Sequence, residues 1–239
     1  LALAAWTLRS TVNVVVAAAD RGALASLASL RWLWRNKPAR IVILAYAFHA
    51  WELLGMWAWL PAFLSAAALL HGGDGATLAL AGAALAALTH LLSMAGSLCG
   101  GFWSDRWGRT RVILVMSLAS LACSLVFGWL LAAPLWLVVG VAIVLNFFAV
   151  GDSAIHSAAL SEVVPAPHLA TAYSLRSVLG FGMGALSPWL FGLTLDAAGD
   201  SLALGWGLAW SGLAAVGLAG PLLSWRLLRR EARQAAGLR

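Results

Sequence analysis

Residues 100–111 read GGFWSDRWGRTR and interrupt a chain that is otherwise almost continuous hydrocarbon. Asp105, Arg106, Arg109 and Arg111 stand here between two apolar runs, 77–102 and 112–132. A helix needs about 20 mostly apolar residues to cross about 30 Å of hydrocarbon. In lipid its backbone N–H and C=O groups must bond within their own segment, so runs of this length read as membrane helices. The charged stretch is then a short connector at the membrane surface.

Working outward, the rest of the chain has the same character. Of its 239 residues, 62% are hydrophobic and only 10% charged, with a mean hydropathy of +0.90. Soluble domains carry about 25% charge, so a soluble fold is excluded. Four further runs qualify as spans, at 40–67, 135–160, 171–195 and 204–226. The chain reads as an all-α membrane protein of six transmembrane helices, divided into a leading segment 1–39, a helical domain 40–227 and a basic tail 228–239. Its 15 Lys and Arg all fall on one side of the six-span topology. Cytoplasmic loops carry such an excess, so both ends are expected in the cytoplasm, with the protein in the plasma (inner) membrane. The +6 charge reports orientation in the bilayer, not nucleic-acid binding. The opening LALAAWTLRS lacks the charged leader of a signal peptide. Residues 20–39 mix leucine and tryptophan with basic residues, as expected of a linker lying against anionic headgroups. Cys99 and Cys123 lie in apolar runs without metal or redox spacing and read as packing residues.

The quoted stretch has the pattern Gly101-x-x-x-Asp105-Arg106-x-Gly108-Arg109-x-Arg111 and follows the second of six helices. It resembles the signature loop of the major facilitator superfamily of secondary transporters, with every motif position filled. The resemblance covers about residues 40 to 230 and is closest to the C-terminal six-helix half of that family. It implies half of a two-part bundle that moves a small-molecule substrate by alternating access. The partner is then an N-terminal six-helix half or a second chain. The leading segment becomes the end of a preceding helix and the linker between halves. In this role Gly101 and Gly108 would allow close approach and a tight turn. Asp105 would face a neighbouring helix N-terminus, and Arg109 would latch to an acid on another helix end, for which Glu162 is the expected partner.

Charges at bilayer depth are costly, so each is a candidate functional group. Glu52 lies about 18 Å along the first helix at about 1.5 Å per residue, near the midplane. His49 precedes it by one turn, while His90 and Asn146 lie at similar depth in the second and fourth helices. The expectation is that Glu52 faces a central cavity and exchanges a proton, with His49, His90 and Asn146 helping to bind proton or substrate. Low dielectric disfavours a charged carboxylate, which suits a carboxyl to that task. Asp152 and His156 lie one turn apart, and Arg176 enters the next helix to a similar depth. An Asp152–Arg176 ion pair with a structural or gating role would remove the cost of burying either alone. Gly180, Gly184 and Pro188 of the fifth helix point to close packing or to a hinge.

A membrane enzyme is the competing class. The last helix carries no histidine to serve a serine nucleophile, and no HExxH motif occurs. Neither catalysis, a cofactor nor a resident metal is therefore expected. The favoured reading is a proton-coupled transporter, and its alternative is a non-transporting half-size protein or assembly partner.

Overall fold

The computed structural model describes residues 23–72 and 75–237. The remainder of the leading segment, including LALAAWTLRS, Arg9 and Arg21, lies outside the described residues, as does Arg239. Among the described residues all regular structure is helical: α1 (Ala23–Arg35), α2 (Lys37–Leu70), α3 (Gly75–Trp107), α4 (Arg109–Phe127), α5 (Leu135–Gly151), α6 (Ser153–Val163), α7 (Ala166–Ala197), α8 (Leu202–Gly217) and α9 (Ala219–Ala235). Six stretches are long and apolar enough to span a membrane: α2, the apolar part of α3, α4 with its final 3-10 turn, α5–α6, α7 and α8–α9. The chain is a multi-pass membrane protein.

The helix boundaries have local causes. At the start of α2, the Asn36 side chain accepts a hydrogen bond from the Ala39 amide at 3.1 Å, and Pro38 stands in the first turn. The cap satisfies a donor that the helix leaves free, and proline sits where no intrahelical N–H is needed. Between α3 and α4 a single residue makes the turn, Gly108, at φ +88°. That backbone region favours glycine, and no neighbouring atom lies within 4 Å of where its Cβ would be. The requirement at Gly108 is conformational rather than steric.

Several expected boundaries move. The loop expected at 100–111 is mostly helix, because α3 continues to Trp107 and only Gly108 is outside regular structure. The gap left between the runs 135–160 and 171–195 shrinks to the two residues between α6 and α7, and the tail beyond 228 remains helical to Ala235. Residues 23–35 form a helix that packs on the bundle, with Leu33 buried, the Ser29 hydroxyl 2.9 Å from His168 Nδ1 and Trp32 stacked on the His168 ring at 4.5 Å. A headgroup-facing linker was expected there. Apolar and ring contacts with α2 and α7 hold one face of it to the protein, while Arg31, Trp34 and Arg35 stay exposed.

At the centre, α2 touches α3, α5, α6, α7, α8 and α9. Two apolar clusters line it. One contains Phe63, Phe127, Phe191, Trp206 and Trp210; the other contains Leu33, Ile43, Val112, Met116 and Ile155. Along α2, His49 and Glu52 fall between Ile43 of the second cluster and Met56 of the first. The fourth span is interrupted at Asp152, between α5 and α6, and the sixth at Leu218.

Candidate functional site

Glu52 is buried in the bundle, and its partners come from α4. The hydroxyls of Ser120 and Ser124, one helical turn apart, each donate to the carboxyl at 3.1 Å. This spacing lets one helix face serve both carboxyl oxygens. Gly217 of the sixth span lies beside the same side chain, where a Cβ would come within 3.8 Å of the Glu52 Cβ. Glu52 therefore points among α2, α4 and α8 rather than into an open cavity, as the sequence reading had placed it.

One turn earlier, His49 Nδ1 lies 3.1 Å from Asp152 Oδ1. The other oxygen, Asp152 Oδ2, accepts from the Ser117 hydroxyl at 2.8 Å and lies 3.5 Å from His156 Nε2. His49, Asp152 and His156 are all buried, and the two imidazoles approach at 5.0 Å between centroids. The helix break makes this grouping possible: Asp152 sits between α5 and α6, while its backbone carbonyl still accepts from the His156 amide at 3.1 Å. Tyr46 borders both rings, at 5.7 Å from His49 and 5.8 Å from His156.

The expected Asp152–Arg176 pair is not formed. Arg176 lies over the Tyr46 ring at 3.5 Å, and its Nε has no hydrogen-bond partner among the described residues. Two histidines and a serine surround the carboxylate, and a tyrosine face offers the guanidinium a cation–π contact. Glu52, His49, Asp152 and His156 thus form a buried polar layer, with Arg176 behind Tyr46 at its edge.

His90 and Asn146 belong to a different group. Asn146 Oδ1 accepts from Trp57 Nε1 at 3.2 Å and, with the proton on Nδ1, from His90 at 3.1 Å. Its amide nitrogen donates to Thr89 Oγ1 at 3.1 Å and to the Ala142 carbonyl at 3.3 Å. This network ties α2, α3 and α5 together. Among the described residues, none of its hydrogen bonds reaches Glu52 or His49, so the four midplane residues that the sequence grouped as one site form two.

The third group is at the surface, where α3 meets α4. Arg109 Nη1 donates to Asp105 Oδ1 and to the Ser104 hydroxyl, each at 2.6 Å, while its Nε donates to Glu162 at 3.1 Å. The contact expected between Arg109 and Glu162 is present, and it joins the second-to-third helix turn to the end of the fourth span. Asp105 pairs with the side chain of Arg109, the first residue of α4. Arg106 stacks over Phe102 at 4.1 Å, and Arg111 is exposed. Asp105 and Glu162 are mostly exposed, at 66% and 57%, so solvent screening limits each pair to about 1 kcal/mol or less.

The glycines divide as well. A Cβ on Gly101 would meet nothing within 4 Å, whereas Cβ atoms on Gly96 and Gly100 would collide with the carbonyls of Phe147 and Gly151. The close approach expected of Gly101 is made by these two neighbours, which bring α3 against the broken fourth span. Gly180 and Gly184 pack on Tyr46 and Leu54 of α2, and the Pro188 carbonyl accepts from Trp59 Nε1 at 2.9 Å.

Sequence reasoning missed Ser117, Ser120 and Ser124, whose spacing along one face of the third span was visible, and Tyr46, which no pattern marked. It also had no means of bringing His49 to Asp152. Together with His156 these residues place one potential metal-ligand atom each within 4.8 Å of one another. Such a donor set, two imidazoles and a carboxylate, suits a divalent transition metal. The arrangement is equally able to share a proton among three titratable groups. Compared with known families and with characterised proteins, the chain matches no family model and no curated protein.

Proposed function

We propose that this chain is the C-terminal six-helix half of a proton-coupled secondary transporter of the major facilitator type, acting on a small solute by alternating access in the inner membrane with both ends cytoplasmic. What supports the reading most is the Arg109 network. Two residues of the loop motif, Asp105 and Arg109, pair with each other, and Arg109 also reaches the end of a different span through contacts weak enough to open and close. A latch between two conformations needs that property. The Glu52 and His49–Asp152–His156 layer supplies ionisable groups at bilayer depth that a proton-coupled cycle requires.

One observation favours the alternative, a half-size membrane protein serving as an assembly partner. Glu52 and Asp152 find their polar partners within this bundle, as carboxyls that fix helix packing would.

Proteoliposomes carrying the full native polypeptide and an internal pH-sensitive dye separate the two readings. A panel of small organic anions, cations and neutral amphiphiles is added under an imposed pH gradient. The transporter reading expects at least one class to move protons with the native protein and at least tenfold slower with Glu52→Gln. Equal rates in both proteins would remove the proton role of Glu52, and silence across the panel would leave the packing reading as the better one.

A further inference from the structure

At the membrane boundary where the first span begins and the last ends, α2 and α9 enclose an open cleft of about 390 Å³. Lys37 and Arg40 line it from α2, and Arg226, Arg229, Arg230 and Arg233 from α9. Among the described residues none of the six forms an ion pair. The nearby carboxylate on α9, Glu231, turns to the Thr110 hydroxyl of α4 at 2.8 Å. The cleft thus gathers like charge without a counter-ion from the protein. The start of α2 adds to it, since the first amides of a long helix carry partial positive charge. Its walls are not wholly polar. Ile41 and Trp225 also line it, and Arg229 lies over the Trp225 ring at 3.7 Å.

We propose that this cleft binds the phosphate-bearing headgroup of an anionic phospholipid. A phosphodiester would offset the clustered charge through charge-assisted hydrogen bonds, for which guanidinium groups are well shaped. Ile41 and Trp225 give the glycerol and first methylenes an apolar wall at the depth where aromatic side chains favour the interface. A solvated basic surface would not need the apolar wall. The site is independent of the transport reading, because none of its residues belongs to the buried layer or to the Arg109 network.

Native mass spectrometry of the full chain, released from micelles holding equal phosphatidylglycerol and phosphatidylcholine, tests it first. Retention of phosphatidylglycerol in preference is expected, and equal retention overturns the proposal without any variant. Affinity is then read from the rise in melting temperature as phosphatidylglycerol is titrated. Arg226→Gln/Arg230→Gln should bind about thirtyfold more weakly, taking about 1 kcal/mol for each basic residue at a membrane surface. Arg226→Lys/Arg230→Lys should stay within a few fold of native. Arg31→Gln/Arg35→Gln, which removes as much charge from α1, should bind like the native chain. If that control weakens as much, a diffuse field is responsible and the cleft is not a site. Sodium phosphate is titrated in parallel; saturation of the same melting shift by phosphate at equal concentration would assign the site to a free anion and overturn its lipid identity.

Discussion

Asp152 is buried with its Oδ1 3.1 Å from His49 Nδ1, while its Oδ2 accepts from the Ser117 hydroxyl and lies 3.5 Å from His156 Nε2. Removing one member of a buried charged group leaves the others without compensation, at a cost of about 3–5 kcal/mol. Asp152→Ala should therefore destabilise the protein by about 3 kcal/mol or more in detergent melts. Ser117→Ala, which deletes a single neutral donor, should cost about 1 kcal/mol. Similar losses for the two variants would mean that the carboxylate does not organise this layer. The sequence marked Asp152, His156 and Glu52 as costly at their depth, and that rests on residue type and on position along each span. It assigned the wrong partner to Asp152 because spacing along a helix fixes depth but not azimuth. Arg176 and His49 are both at reachable depths, and only the rotation of α2 and α7 about their axes decides between them.

At the scale of the element, the informative contrast is between adjacent glycines. Gly100 faces the Gly151 carbonyl at the break in the fourth span, and Gly101 faces open space. A side chain that can move aside would tolerate a new methyl, but a backbone carbonyl cannot do so without shifting a helix. Gly100→Ala should destabilise by about 2 kcal/mol or more, within the range for overpacking. Gly101→Ala should be neutral or slightly stabilising in the same melt, since alanine is the better helix former. A loss at Gly101 as large as at Gly100 would show that another surface packs there. The six runs were legible because hydrocarbon thickness sets their length, and the structure extends their ends by a few residues into helix that charge had marked as loop. The interruption at Asp152 was not legible, since no proline stands there. The one at Leu218 has a local cause that the sequence reading did not use: Pro221 has no N–H to give the Gly217 carbonyl, and glycines stand at 217 and 220.

For the whole molecule, the exposed apolar side chains of α3 and α7 are prominent. Leu91, Met94, Leu98 and Phe102 lie on α3, and Val178, Phe181, Trp189 and Leu193 on α7. Lipid alone would satisfy them. On the transporter reading, one such surface meets a second six-helix unit, and the particle isolated under mild conditions should have a protein mass of about twice 25.0 kDa, whether as one longer chain or as two. Native mass spectrometry together with a denaturing gel distinguishes these forms. A stable particle near 25.0 kDa by both would favour the half-size alternative. This level was the least legible in the sequence. Lipid and a helical partner select the same apolar residues, so hydropathy cannot tell one face from the other.

The buried layer also bears on how the protein is made. Glu52 emerges from the ribosome well before the hydroxyls that hold it, which follow 68 and 72 residues later in the chain. His49 must wait longer still, for the fourth span. A translocon that released the first span singly would place an unpartnered carboxyl in lipid, where insertion of an acid at mid-helix costs about 3 kcal/mol. Holding the early spans together beside the insertion machinery until the third and fourth have been synthesised would avoid that cost.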